Sequence, residues 1–108
     1  LVRAQVAEAV VLTAPAKTAV SEFRAARGSF PSSNASAGLP PPASIQGNFV
    51  SQLEVQADGV LVVTLGNDVN ALVAGETVRL TPTWGGFAIE WRCSATMPTR
   101  YVPTPCRN

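Results

Sequence analysis

The sequence lacks histidine entirely, and its 108 residues include only two cysteines, one tyrosine and one methionine. Histidine is the side chain most often used for general acid–base catalysis and is a common metal ligand, so its absence removes both roles. The seven acidic residues are scattered, without the close pair of carboxylates that a glycosidase uses. We therefore predict a protein that is not an enzyme and that has no catalytic residue, no metal and no cofactor.

Charged residues are also scarce, because they make up 14% of the chain against about 25% of an average soluble domain. Eight basic and seven acidic residues leave a net charge of +1, which gives no strong field to attract nucleic acid or an anionic membrane. A surface with few charges and many small side chains packs readily against copies of itself. This composition suits a subunit of an assembly.

Long apolar runs are absent as well, since no stretch approaches the roughly 20 apolar residues of a membrane-spanning helix. An apolar helical pattern is nevertheless already present at residue 1, with no capping residue before it. We therefore expect more helix upstream of the given sequence.

The two cysteines, Cys93 and Cys106, enclose a short segment near the C-terminus. Their spacing is not Cys-x-x-Cys, and without histidine a zinc site is disfavoured, so an oxidising compartment fits better. We predict a structural disulfide that stabilises the fold by about 3 kcal/mol through its effect on chain entropy. The alternative is a pair of buried, unpaired thiols.

Residues 1–27 are predicted to form one amphipathic α-helix about 40 Å long. Pro15 lies in its interior, where it removes an amide donor and crowds the carbonyl of Val11, so we expect a bend there. Gly28 predicts the C-terminus of the helix, with a left-handed cap. The apolar positions recur at three- and four-residue steps, at Val2, Val6, Ala9, Val10, Thr13, Val20 and Phe23.

A loop rich in proline and serine follows over residues 28–48, and from Phe49 the apolar period changes to two. Asp58-Gly59 between two alternating runs is a strong hairpin signal. Short connections throughout predict an antiparallel meander, with a third strand that ends at Pro82. The predicted strands are 49–56, 60–65, 77–81 and 87–93.

A sheet with one apolar face needs a cover, and only the first helix is long enough to supply one. The predicted fold is α+β, a long N-terminal helix packed on a four-stranded antiparallel meander, with a disulfide loop at the C-terminus. We predict a single domain over 1–108. It is divided into the helix (1–27), the loop (28–48), the sheet (49–93) and the disulfide loop (93–106).

Strands of six or seven residues are about 20 Å long and cover only half of a 40 Å helix. The other half is expected to project, leaving exposed apolar side chains that mark a contact surface. The candidates for this surface are Leu1, Val2, Val6 and Val10. The alternative is that these are ordinary core residues.

In its order of motifs the chain resembles a type IVa pilin that lacks the membrane-spanning N-terminal part of its helix. The resemblance covers nearly the whole chain and depends on an ordered set of short motifs. They are Arg3-Ala4-Gln5-Val6 with Glu8-Ala9, Gly28-Ser29-Phe30-Pro31, Phe49-Val50, Asp58-Gly59-Val60, Leu80-Thr81-Pro82, Trp91-Arg92-Cys93 and Tyr101-Val102-Pro103-Thr104-Pro105-Cys106.

The resemblance implies a pilin roll and a structural subunit that polymerises with other pilin subunits into an extracellular pilus filament of a Gram-negative bacterium. The implied roles are adhesion, twitching motility and DNA uptake in natural transformation, with the pilus assembly machinery as a partner. An upstream segment would carry a leader, a cleavage site, a methylated N-terminus and an apolar helix that anchors the subunit in the inner membrane before assembly. Leu1, Val2, Val6 and Val10 then become candidates for filament contacts.

A second hypothesis is a minor pilin that binds DNA and acts as a receptor. Arg92, Arg100 and Arg107 follow the last acidic residue, Glu90, and Tyr101 lies among them. Contacts with phosphates dominate affinity for DNA, which makes these arginines candidate nucleic-acid contacts. The alternative for them is solvated surface charge.

Two further patterns suggest binding or modification sites, but each has an ordinary explanation. Asn67, Asp68 and Asn70 could supply oxygen ligands to calcium, which related secretion pseudopilins bind, but they lack the spacing of a defined calcium loop and are ordinary turn formers. Asn34-Ala35-Ser36 matches a glycosylation acceptor, a triplet that is common by chance.

Overall fold

The computed structural model describes residues 1–106, whose backbone forms a helical layer over a sheet. The sheet is a four-stranded antiparallel meander in which neighbours in sequence are neighbours in space. The elements are α1 (Val2–Val11), α2 (Ala14–Arg27), β1 (Val50–Gln56), β2 (Val60–Leu65), β3 (Thr77–Trp84) and β4 (Ile89–Ala95), with short 3-10 turns at Pro42–Ser44, Ala57–Gly59, Thr99–Tyr101 and Thr104–Cys106.

Helices α1 and α2 together are the predicted long helix, and the expected bend is present between them. The Thr13 hydroxyl donates to the carbonyl of Val10 at 2.6 Å, and such a bond to the preceding turn bends a helix. Pro15 lies in the first turn of α2, where its missing N–H costs no helical hydrogen bond. Gly28 ends α2 with φ 75°, and its N–H donates to the carbonyl of Arg24 at 2.9 Å.

Alternate residues of each strand point toward the helices and form the core. In the register, Leu61 faces Val55 on one side and Leu80 on the other, while Val63 lies between Leu53 and Val78. The sheet therefore presents a continuous aliphatic surface to the helices. The helices contribute Val6, Ala9, Ala16 and Val20 to the same buried cluster.

The predicted end of the third strand at Pro82 is wrong, because β3 continues to Trp84. Only residues Thr77 to Leu80 of β3 pair with β2. On the other side of β3, every residue of β4 pairs with it. At Pro82 the strand consequently has a neighbour on one side only, and proline is tolerated at such an edge.

The predicted projection of the N-terminal half of the helix is also wrong, because Val6 has no solvent exposure and Ala9 has 1%. This half packs against β2, and two segments outside the strands complete its cover. The Asn70 N–H in the β2–β3 connection donates to Gln5 Oε1 at 2.8 Å. Arg3 Nη2 donates to the carbonyl of Arg100, in the C-terminal segment, at 3.0 Å. The buried apolar residues of these covering segments are Val69, Val73, Met97 and Val102.

Asn34, in the loop after α2, takes the place of a further strand at the edge of β1. Its side-chain oxygen accepts from the N–H of Val55 at 2.7 Å, and its Nδ2 donates to the carbonyls of Leu53 and Pro40, each at 3.0 Å. Asn34 is 5% exposed, so its amide is committed to the backbone and is not available to carry a glycan. These hydrogen bonds occupy backbone groups at the β1 edge of the sheet and so hinder the pairing of β1 with another chain.

Cys93 and Cys106 form the predicted disulfide, with their Cα atoms 4.4 Å apart. Cys93 is on the helix-facing side of β4, directly opposite Leu80 of β3. The bond therefore fastens the C-terminal segment, which also covers α1, to the edge strand β4.

Replacing Asn34 with alanine is expected to lower the free energy of unfolding by about 2–4 kcal/mol, because two buried backbone groups of β1 lose their partner. Urea denaturation measures this loss. The exposed Asn48 is the matched control, and Asn48→Ala is expected to stay within about 0.5 kcal/mol of the original protein. Equal effects of the two substitutions would contradict the role assigned to Asn34.

The double substitution Cys93→Ser with Cys106→Ser is expected to cost about 3 kcal/mol, because the unfolded chain regains the entropy of the opened loop. Denaturation of the oxidised protein and of the variant measures the difference. Thiol titration of the unfolded, unreduced protein is expected to detect no free cysteine. An unchanged denaturation midpoint would refute a stabilising bond.

Candidate functional site

The asparagine-rich turn after β2 has a structural role. Asn67 Nδ2 donates to the carbonyls of Gly47 and Val50 at 2.9 and 2.8 Å, and Asn70 Oδ1 accepts from the N–H of Leu72 at 2.9 Å. These amides hold the turn against the start of β1, as the turn-former explanation predicts. Within residues 1–106, no group of three His, Cys, Asp or Glu side chains is placed to hold a metal ion.

The arginines proposed for DNA contact do not form one strip on the described surface. Arg92 is exposed on β4 and pairs in register with Thr81, on the sheet face turned away from the helices. Arg100 is exposed in the turn that contacts α1, and its guanidinium lies 5.0 Å from the centre of the Tyr101 ring. Arg107 lies outside the described residues.

The four candidate filament contacts have different environments. Leu1 is 92% exposed, whereas Val6 is fully buried. Val2 and Val10 are partly buried and pack against the core. Only Leu1 presents most of its side chain to solvent.

Val11 is the exposed apolar residue of α1 that the sequence reasoning missed. It is 73% exposed and lies about half a turn around the helix from Val6 and Val20, which face the sheet. Ala14 and Thr18, three and seven residues after Val11, are exposed on the same side, and the half-buried Ala7, four residues before Val11, lies beside them. We call Ala7, Val11, Ala14 and Thr18 the outer helix stripe. The helical phase of the buried positions was the signal that would have found it.

Cations of α2 lie over aromatic rings of neighbouring elements. The guanidinium of Arg24 is 4.4 Å from the centre of the Trp84 ring, and Lys17 Nζ is 5.8 Å from that of Trp91. Such contacts contribute about 0.5–1 kcal/mol each at exposed sites. They hold α2 against the last two strands.

An open groove of about 770 Å³ lies between the start of α1 and the C-terminal segment. Its walls are mainly apolar, and two arginines stand at its rim. We call it the Tyr101 groove; the lining residues used below are Arg3, Ala4, Arg100, Tyr101, Pro103 and Thr104. At the opposite end of the sheet, the turn between β3 and β4 carries Phe87, which is fully exposed.

Comparisons with known proteins agree with the fold. The chain matches the pilin family of bacterial filament proteins over residues 2–107. It is 34% identical to the fimbrial protein EcpC of Eikenella corrodens, over 98% of this chain and 71% of that protein. Identities to the type IV major pilin proteins PilE and PilE1 of Neisseria gonorrhoeae are 34% and 29%, over 98% of this chain and 75% of each relative.

A family match over nearly the whole sequence, together with these identities, shows that the chain belongs to the pilin family. The protein is a structural subunit of a pilus, an extracellular filament in which pilin subunits polymerise, and not an enzyme. Among the residues that the structure describes, no helix is both long enough and apolar enough to cross a membrane.

The different burial of neighbouring valines on α1 has a measurable consequence. Val6→Ala is expected to lower the free energy of unfolding by about 2 kcal/mol, because it opens a cavity in the core. Val11→Ala is expected to change it by less than about 0.5 kcal/mol, because the side chain already faces solvent. Thermal and urea denaturation of both variants test this, and a larger cost for Val11 would contradict the observed orientation of α1.

Proposed function

We propose that this protein is a major-type subunit of a type IV pilus in a Gram-negative bacterium, and that its outer helix stripe packs against helices of neighbouring subunits. The exposure of Val11, at 73%, is the observation that carries the proposal. A large apolar side chain in the middle of a solvent-facing stripe makes no use of the subunit's own core and is typical of an interaction site.

The chemistry of the stripe supports contact between helices. Ala7, Ala14 and Thr18 are small, so a second helix can approach the backbone closely, and Val11 supplies apolar area between them. Steps of four, three and four residues place these side chains on one side of α1 and α2, before and after the bend. Burying a valine side chain contributes roughly 1.5 kcal/mol, and a polymer gains this at every subunit.

The finer roles follow from the proposed polymer. A filament that extends from the cell is a means of adhesion and, when retracted, of twitching motility, and the names of the relatives agree with a major pilin. We further propose that the pilus assembly machinery receives the subunit from the inner membrane, where an apolar helix upstream of residue 1 anchors it.

DNA binding as a receptor is the alternative function, and the described surface does not favour it. Arg92 lies on the sheet face turned away from the helices, whereas Arg100 lies in the turn that contacts α1. DNA uptake therefore stays a secondary proposal, tied to the filament and not to an identified binding site.

The proposal is tested in cells that express the full-length protein. Deletion of the gene is expected to abolish surface filaments and twitching, and the unaltered gene to restore both. Val11→Arg is expected to leave the isolated domain folded, with an unchanged Tm, but to prevent filament assembly, because a buried charge is costly at a helix contact. Electron microscopy and the amount of subunit in sheared, sedimented filaments measure assembly.

Val11→Leu is the matched control, because it keeps an apolar side chain, and it is expected to assemble normally. Normal filaments from Val11→Arg would exclude the stripe as a contact. Intact filaments without the protein, combined with salt-dependent duplex binding that is lost on replacing Arg92 and Arg100, would favour the receptor instead.

A further inference from the structure

The turn between β3 and β4 exposes an aromatic side chain that the subunit itself does not use. Phe87 is 100% exposed, and the nearby Trp84 is 43% exposed. The turn is closed by the Gly85 N–H, which donates to the carbonyl of Ala88 at 3.0 Å, and Gly86 has φ 95°. The backbone therefore holds Phe87 at the end of a tight hairpin, and exposed apolar area of this size marks an interaction surface.

This hairpin end and the Tyr101 groove lie at opposite ends of the molecule. Trp84 stacks on Arg24 near the end of α2, while Arg3 at the start of α1 lines the groove. Residues 3 and 24 are separated by about 30 Å of helix. The longest dimension of the molecule is 40 Å, so the two features are separated by most of its length.

We propose that Phe87 of one subunit inserts into the Tyr101 groove of the next subunit, so that the copies contact head to tail. The inference rests on the pilus function, which makes a second copy of this chain the partner already required. A contact between two different patches is heterologous, and when its rotation does not close a ring it generates an open helical filament. Two different patches at opposite ends of an elongated subunit can repeat such a contact from one subunit to the next along a filament.

The groove has the chemistry to receive an aromatic ring. Ala4 and Pro103 provide apolar walls, and Tyr101 can stack against the ring in an offset or edge-to-face arrangement. Arg3 and Arg100 stand at the rim, where a guanidinium can lie over an aromatic face, as Arg100 already does over Tyr101 at 5.0 Å.

Charge at the two ends is complementary as well. The lining of the groove contains two arginines and no acidic residue. The strand that leaves the hairpin carries the exposed Glu90 three residues after Phe87, and the exposed Arg92 lies farther from the hairpin on the same face. Docking would bring Glu90, the charge nearer to the hairpin, toward the arginines of the next subunit.

Substitution at the hairpin is the first test. Phe87→Ser is expected to leave the Tm of the isolated domain unchanged, because the side chain contacts nothing that stabilises it, and to reduce the yield of sheared filaments about tenfold or more. Phe87→Tyr keeps the ring and is expected to assemble normally. Leu72→Ser, at an apolar residue that is 63% exposed on another loop, is the control for a general loss of surface apolarity.

Crosslinking tests the partner directly. Ala88→Cys combined with Ala4→Cys is expected to give ladders of multimers when filaments are treated with a short thiol-specific crosslinker. Ala88→Cys combined with Ala43→Cys, an exposed position in the turn at Pro42–Ser44, is expected to give none.

The outcomes separate this inference from the pilus function. Suppose that Phe87→Ser forms abundant filaments and that Ala88→Cys gives no crosslinks with Ala4→Cys. These results would overturn the head-to-tail contact and leave the filament role intact. A cysteine at position 88 that is labelled equally fast in filaments and in free subunits would also overturn it, because the hairpin would then be exposed for another partner. A lack of filaments from the unaltered protein would instead refute the pilus function.

Discussion

The structure depends on the contact between the bent N-terminal helix and one face of the sheet. Val6 and Val20, on either side of the bend, join the same buried cluster as Leu61 and Leu80 of the central strands. Strands of about 20 Å cannot cover two consecutive helices whose combined length is about 40 Å, so other segments must complete the cover. The β2–β3 connection and the C-terminal segment do so, and the disulfide fixes the second of them. The parts of the chain that look like loops are therefore required by the length of the helix.

The main features of the fold could be predicted because each has a local cause. The periods of the apolar residues identify helix and strands, Pro15 identifies the bend, and Gly28 identifies the helix end. The cover of α1 could not be predicted in this way, because Val69 and Val102 are single apolar residues in irregular segments with no period. Counting strands alone made half of the helix seem uncovered. The predicted end of β3 was wrong for a similar reason. A proline interrupts a strand only where its missing N–H would have bonded to a neighbouring strand, and β2 does not pair with β3 at Pro82.

The candidate surfaces were harder to predict than the fold. The four proposed contacts were chosen as the apolar residues of the half-helix that was expected to project beyond the strands, yet the helical phase decides which apolar residue faces outward. Applied to Val6 and Val20, that phase places Val11 outside. Phe87 was predicted to begin the fourth strand, which is wrong, because β4 begins at Ile89 and Phe87 lies in the turn before it. Whether it is exposed depends on where the hairpin ends relative to the helix, which is a property of the tertiary structure.

A polymer subunit must be stable alone and still leave surfaces that only its neighbours can cover. This chain separates the two requirements, because Asn34 occupies backbone groups at the β1 edge of the sheet while Val11 and Phe87 stay exposed. An occupied edge is less able to add a strand of another chain, which would give an uncontrolled aggregate. In the proposed filament, growth depends on side-chain contacts made by the outer helix stripe and by the two unlike ends of the subunit. Because the surface has few charges, electrostatic repulsion between copies is small and apolar contacts of modest area are sufficient when every subunit repeats them.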